Sequence, residues 1–377
     1  MAAVQDDCQQ LEQMLARTPV IGEVHPLLPL ALSSSVRIVK CGDDLLSELD
    51  DMLAAPQSPM LILQHDHRLA ARFPKASFKK HPPIQAINRN MHHHLDYARD
   101  QLLTTLKVAD ALVEDVIEHR YDIVVLMLID GLSYGDIVDW IDTAMPCLVD
   151  GPSVTYRLAD DQRTVLPTVG FPSIVGSPGI FSQLHDVGYC DALGYTYWAP
   201  DSNAISDCLF RQIPTRRVSN FEAILADLRS FRLKQPTYIQ ILREGLDGLA
   251  HSKREVSRAE IEGAISAIQQ DVERVLQVLS AQNHSACLYL TADHGILWKT
   301  EHDWQTLDAA GSKPRYSTIR PMESACRYAV RYERSGQVYY SFIYPYLGSR
   351  IKADDSGVHG GLSYQESIVP FAKLEVR

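Results

Sequence analysis

From Tyr121 onward, apolar runs and mixed segments alternate in a way the earlier residues do not. Ile123–Ile129 is apolar at every position, the pattern of a strand buried on both faces of a parallel sheet. Tyr238–Leu242 and Ala286–Thr291 read as further strands of the same sheet. Between those two lies a stripe at helical spacing: Val256, Ile261, Ile265, Ile268, Val272, Val275, Leu276 and Leu279. Strand, helix, strand in that order predicts a right-handed crossover and parallel neighbours. Trp298–Gly357 breaks the rhythm. It opens polar and continues into the alternating, Tyr-rich run Gln337–Tyr344, which predicts an insertion or cap over the rest.

The first part of the chain is patterned differently. Val36–Val39 and Met60–Gln64 are strand candidates, and Asp43–Ala54 is a helix candidate. A polar stretch, His65–Asn90, follows. Then Met91–His119 carries a helical period through Leu95, Leu102, Leu103, Leu106, Val108, Leu112 and Val116. His92, His93 and His94 open that helix, but consecutive residues splay over different faces and make poor joint ligands. The predicted organisation is an N-terminal accessory module (1–119) and an α/β domain (120–377), with 298–357 as the cap insertion.

Composition narrows the classes. The 377 residues are 46% hydrophobic and 22% charged, ordinary for globular protein. A net charge of −11 disfavours non-specific binding to long nucleic acid. The seven cysteines are scattered and form no C-x-x-C pair, as expected of reduced thiols in a cytoplasmic protein. The start, MAAVQDDCQQ, has no leader-like pattern, and no apolar run is long enough to span a bilayer. No membrane association is expected.

The candidate chemistry sits at the ends of the apolar runs. Asp130 ends VVLMLID, Asp293 and His294 end LYLTADH, Asp247 and His251 lie in DGLAH, and His359 opens HGG. The carboxyl ends of strands face the ligand crevice in open α/β sheets. Asp oxygens and neutral His nitrogens suit zinc or manganese. Asp247 and His251, four apart, share a helix face. Asp293 and His294 can serve one ion only where the strand breaks, and Gly295 permits the break. Ser363 and Glu366 read as a structural capping box.

Two other patterns compete for attention. Gly131-Leu132-Ser133-Tyr134-Gly135 fits a G-x-S-x-G elbow, which would make Ser133 the nucleophile of a serine hydrolase with His359 as base and Asp293 as orienter. That reading leaves Asp130, Asp247, His251 and His294 unused. The insertion also carries Arg315, Tyr316, Arg320, Arg327, Tyr328, Arg331, Tyr332 and Arg334. Arg forks bind phosphate and Tyr faces stack on bases, so Arg315, Arg320 and Arg327 are candidate substrate contacts; a solvated strand face fits equally.

The motif order DG, PT…FP, DxxxH, DHG, HGGxSxxE…VP resembles the alkaline-phosphatase superfamily, and within it the PglZ domain of bacterial phage-defence loci of the BREX type and of some response regulators. The resemblance covers roughly residues 120–377, most specifically in VVLMLIDGLSY, LTADHG and HGGLSYQESIVPF. It implies an alkaline-phosphatase-like fold, a mostly parallel central sheet with helices on both faces. It also implies two divalent metal ions, zinc before manganese. One would be held by Asp130, Asp293 and His294, the other by Asp247, His251 and His359. A Thr or Ser between the first clusters would attack phosphorus. Here the chain departs: Gly170 stands where related phosphodiesterases carry Thr, and Thr168 in LPTVGFP is the first choice instead. The expected activity is hydrolysis of phosphate esters, diesters before monoesters. Its substrate would be a phosphorylated small molecule, a nucleotide or a nucleic acid end. Protein partners would come from a defence or signalling complex. The Gly170 departure leaves two alternatives, a metal-bound hydroxide as nucleophile or a catalytically inactive metal-binding scaffold.

Overall fold

The computed structural model describes residues 2–40 (apart from 19, 25 and 26), 54, 59–63, 75–78, 83–98 (apart from 96), 115, 120–141, 156–167, 196–197, 221–230, 237–299 (apart from 244, 253, 254 and 283) and 304–376 (apart from 335 and 336). The chain divides into two compact units, Met1–Leu102 and Leu103–Arg377.

In the first unit four short strands form one parallel sheet: β1 (Val20–Val24), β2 (Arg37–Lys40), β3 (Met60–Leu63) and β4 (Lys75–Phe78), in the order β2-β3-β1-β4. A helix, Ala2–Leu15, precedes them, and Ile84–Asn90 follows. The strand β4 and the helix Ile84–Asn90 both fall in His65–Asn90, which the sequence pattern reads only as a polar stretch. Met91–His94 is a 3-10 turn, with His94 Nε2 against the Leu32 carbonyl at 3.1 Å. The helix expected over Asp43–Ala54, except its last residue, and most of that expected over Met91–His119 lie outside the described residues.

The second unit is built on a six-stranded sheet. Its first strands are β5 (Ile123–Ile129), β6 (Tyr156–Pro167), β7 (Thr196–Tyr197), β8 (Thr237–Arg243) and β9 (Ala286–Ala292). An excursion then runs through β10 (Leu297–Trp298), β11 (Gln305–Thr306), β12 (Tyr316–Ser317), β13 (Ala329–Arg334), β14 (Gln337–Phe342), β15 (Tyr346–Leu347) and β16 (Gly357–Val358), before β17 (Ile368–Val376) returns to the sheet. The order is β6-β17-β9-β5-β8-β7. β9, β5, β8 and β7 pair in parallel, while β17 runs antiparallel to both its neighbours, so β17 alone is reversed.

Every residue of β5 and of β9 is buried, so both faces of the sheet are covered there. The helix Arg258–Ser280 supplies much of that cover. It starts at a complete capping box: the Ser257 hydroxyl accepts from Glu260 N–H, and the Glu260 carboxylate accepts from Ser257 N–H at 2.9 Å. Ile261, Ile265, Ile268, Val272, Val275, Leu276 and Leu279 are its buried stripe and join the core with β5 and β9. The excursion leaves and returns through one antiparallel ladder, Leu297 opposite Val358 and Trp298 opposite Gly357. Its centre is a three-stranded antiparallel sheet, β12-β14-β13. No helix among the described residues is long and apolar enough to cross a membrane.

Candidate metal centre

The ends of adjacent parallel strands deliver the site. Asp130 follows β5, and its backbone N–H still donates to the Arg243 carbonyl on β8 at 3.0 Å. Asp293 and His294 follow β9, the other neighbour of β5. Asp247 opens a single helical turn, Asp247–Ala250, just past β8, and His251 closes it. His359 follows β16 directly. The chain turns at Gly131 with a φ of 77°, and a Cβ there would stand 2.8 Å from the Asp247 nitrogen. Only glycine takes that conformation at that closeness without strain.

Six side chains thus come together from four segments. Asp130, Asp293 and His294 form one group of potential ligand atoms, and Asp247, His294 and His359 form another; His294 belongs to both. His251 meets the second group as well. Its Nε2 lies 3.4 Å from Asp247 Oδ1 and 3.5 Å from His359 Nε2, while His359 Nε2 lies 3.3 Å from Asp247 Oδ1. Donor atoms bound tetrahedrally at zinc distances stand about 3.3–3.4 Å apart. The triangle Asp247–His251–His359 therefore has the edges of a tetrahedral face. In the other group His294 Nε2 is 3.4 Å from Asp130 Oδ1 and 3.7 Å from Asp293 Oδ2. Among the described residues, neither Asp247 Oδ1 nor His359 Nδ1, both buried, has a hydrogen-bond partner. A buried carboxylate oxygen left that way is costly unless a cation satisfies it. The donor set fits a divalent ion.

Backbone groups aim these ligands. Gly131 N–H and His294 N–H both donate to Asp293 Oδ1, at 3.2 and 2.9 Å, leaving Oδ2 to face His294. His294 Nδ1 lies 3.1 Å from the Gly295 carbonyl, which can only accept. A neutral His294 therefore carries its hydrogen on Nδ1 and turns the Nε2 lone pair toward the carboxylates.

The electrostatics show a demand for positive charge. Burial opposes the charged form of His294, but Asp293, Asp130 and Asp247 outweigh it and raise its pKa to about 10. Burial, with the Asp130 charge beside it, lifts Asp293 to about 6 despite His294. Asp247 is also opposed by burial, yet the neighbouring imidazoles of His359, His294 and His251 carry it below the ordinary carboxylate value. His359 is pushed down by burial and by the like charge of His294. Without a metal ion, the proton on His294 is the cluster's cation.

Other sequence candidates fall elsewhere. Ser133 is 2% exposed, and its hydroxyl accepts from Gly135 N–H while Asp136 accepts from Ser133 N–H. It caps the helix Tyr134–Asp139 through a complete capping box. The elbow reading is corrected on that ground: the hydroxyl is buried and already used. Arg315 is likewise not a substrate contact. It is fully buried, and its guanidinium forks onto Glu366 with Nε–Oε1 and Nη2–Oε2 both at 2.8 Å, while Nη2 also donates to the Phe342 carbonyl and Nη1 to that of Tyr346. The same Glu366 accepts from Gly361 N–H at 3.0 Å and from the Ser363 hydroxyl at 2.6 Å, so this ion pair holds the loop just after His359. Ser363 accepts from Glu366 N–H as a cap should, but the Glu366 carboxylate serves Arg315 too. Arg320 and Arg327 are exposed; Arg320 faces Glu323 at 3.6 Å, and Arg327 lies over the Tyr328 ring at 4.6 Å. Thr168 lies outside the described residues, one position beyond Pro167, which ends β6 opposite Ile368. Asp355, which sequence pattern does not single out, stands 3.1 Å from His251 Nδ1. It lies four residues before His359, in a segment, KADDSG, that reads as an ordinary polar turn.

No family model matches the chain, and no curated protein does. Several solved structures are similar at low identity. Murine ectonucleotide pyrophosphatase/phosphodiesterase 5 aligns with a TM-score of 0.42 at 15% identity, over 66% of this chain and 87% of that one. Phosphonoacetate hydrolase from Sinorhizobium meliloti, in complex with phosphonoacetate, aligns at 0.38 and 14%, over 66% and 89%. The C-terminal periplasmic domain of EptC from Escherichia coli, in complex with Zn, aligns at 0.29 and 12%, over 46% and 64%. Function is read from the two clusters themselves rather than from likenesses at these scores.

Proposed function

We propose that this chain is a two-metal hydrolase of phosphate esters, of alkaline-phosphatase type, acting on diesters in preference to monoesters. The observation that carries the reading is the convergence of six Asp and His side chains on two adjoining clusters that share His294. Asp130, Asp293 and His294 would hold one ion and Asp247, His251 and His359 the other, zinc first and manganese second. A pair of divalent ions held there would supply a lowered hydroxyl pKa and positive charge for the phosphoryl oxygens.

The residues themselves set how substrate meets the site. Asp130 and His251 are the open members, with side chains 38% and 41% exposed, so a phosphate arrives from their side. His294 and Asp293 are closed in and fixed by backbone hydrogen bonds, which keeps the deeper ligands in place. Thr168 is the proposed nucleophile, on the strength of its Pro-Thr context, and Arg320 and Arg327 are the proposed phosphate contacts. The substrate class is a phosphorylated small molecule, a nucleotide or a nucleic acid end. The motif order supports the PglZ branch, with partners from a defence or signalling complex, and the scattered cysteines support a cytoplasmic setting. In that scheme residues 1–119 are an accessory module and 298–357 a cap.

Elemental analysis of purified protein, with a diester and a monoester chromogenic substrate, tests the reading. Bound zinc or manganese and chelator-sensitive hydrolysis, faster on the diester, are expected. Protein that takes up no divalent metal even after reconstitution would sink it. Metal uptake with no turnover on any phosphate ester would favour the scaffold alternative.

A further inference from the structure

His251 is the most exposed of the six side chains. It is the C-cap of a single helical turn, and its side chain is 41% exposed. A ring in such a setting needs a partner on its outer nitrogen to fix which nitrogen carries the hydrogen and which way it faces. One neighbour does both. Asp355 Oδ1 lies 3.1 Å from His251 Nδ1, on the far side of the ring from the Nε2 that meets Asp247 and His359. A carboxylate only accepts, so this contact puts the hydrogen on Nδ1 and leaves the Nε2 lone pair for an ion.

We propose that Asp355 is the positioning residue of the second metal site, orienting His251 and raising its affinity for a divalent cation. The inference rests on the two-metal reading above. Asp355 is itself held by the segment that carries it. Ser356 N–H donates to the Ala250 carbonyl at 2.8 Å, Val256 N–H donates to the Ser356 hydroxyl at 3.2 Å, and Lys299 N–H donates to the Ser356 carbonyl at 2.8 Å. These bonds lock residue 356 to the end of the turn that bears His251, to the segment leading into the helix Arg258–Ser280, and to the residue just after β10. Two residues after Asp355 the same segment becomes β16, and then delivers His359. One stretch of chain thus supplies one ligand directly and aims another. Asp354, its neighbour, is exposed and serves as the control. A carboxylate on the outer nitrogen of a ligating imidazole increases the basicity of the inner one, and losing such a partner costs about 10–100-fold in metal affinity.

The test uses the full chain, stripped of metal and titrated with zinc against a competing chromophoric chelator, with stoichiometry from elemental analysis. Wild type and Asp354→Ala are expected to bind two ions alike. Asp355→Ala should keep one ion at wild-type affinity and bind the other about 10–100-fold more weakly. Asp355→Asn, which still accepts through its amide oxygen but lacks the charge, should fall between. Two ions bound by Asp355→Ala within about two-fold of wild type would overturn the proposal while leaving the two-metal reading intact. Absence of zinc from wild type would overturn both. If Asp355→Ala loses its far-UV circular dichroism, Asp355→Asn decides: weakened binding of one ion supports the role, and unchanged binding removes it.

Discussion

The guanidinium of Arg315 is completely buried, and the Glu366 carboxylate neutralises it through two parallel hydrogen bonds. Removing one member of such a pair leaves the other charged and dry, which costs about 3–5 kcal/mol. Arg315→Ala is therefore expected to lose stability of that order in urea denaturation, whereas a solvated substrate-binding arginine would lose almost none. Sequence could not anticipate this. Arg315 sits in an alternation of Arg and Tyr that looks solvated, and its partner is 51 residues further on. By contrast the acidic and imidazole ligand candidates were legible, because each stands where an apolar run stops or a Gly-rich turn begins. Asp355 was not, since its meaning depends on His251, a residue 104 positions away.

Elements with long, strict patterns read clearly. The strand expected at Ile123–Ile129 has those bounds in the structure, and the Ile/Val/Leu stripe of Arg258–Ser280 is buried as its spacing requires. That helix also yields a direct expectation. Ser257→Ala removes an oxygen that accepts from Glu260 N–H, and loss of such a cap typically costs about 1 kcal/mol. The midpoint of denaturation should fall accordingly while zinc uptake stays at the wild-type level; lost uptake would mean the helix start supports the site more directly than its contacts indicate. Long and short elements alike were missed: the helix Ala2–Leu15 and the 12-residue β6 had no expectation, and neither did β4 or Ile84–Asn90. β4 has four residues, Lys-Ala-Ser-Phe, without an apolar run, and it exists through its parallel pairing with β1. The helix Ile84–Asn90 spans only two turns, too little for a period to stand out. The reversal of β17 was equally hidden, because strand direction is a property of the connection rather than of the residues.

At the scale of the whole molecule, protons and metal ions compete for one cavity. In the metal-free protein His294 keeps its proton up to about pH 10, against 6.5 for an ordinary imidazole. A raised pKa contributes stability that is fully present below the unfolded value and lost as pH climbs through the folded one. For His294 that window runs from 6.5 to about 10. A metal ion needs the ring neutral, so its own stabilisation grows over the same window. Thermal melts of zinc-loaded and stripped protein should therefore diverge as pH rises through it, the stripped form falling behind; a constant or narrowing gap would count against His294 as a ligand. The excursion between Trp298 and Gly357 has a consequence of another kind. Its two ends meet in a single ladder, the usual mark of a segment that can be exchanged freely between relatives. Yet Arg315 inside it fastens to Glu366 outside, and Asp355 inside it fastens to His251 outside. Such a segment is inherited together with its anchor points: a graft that carried the excursion alone into another scaffold would arrive with an arginine lacking its acid and an aspartate lacking its histidine.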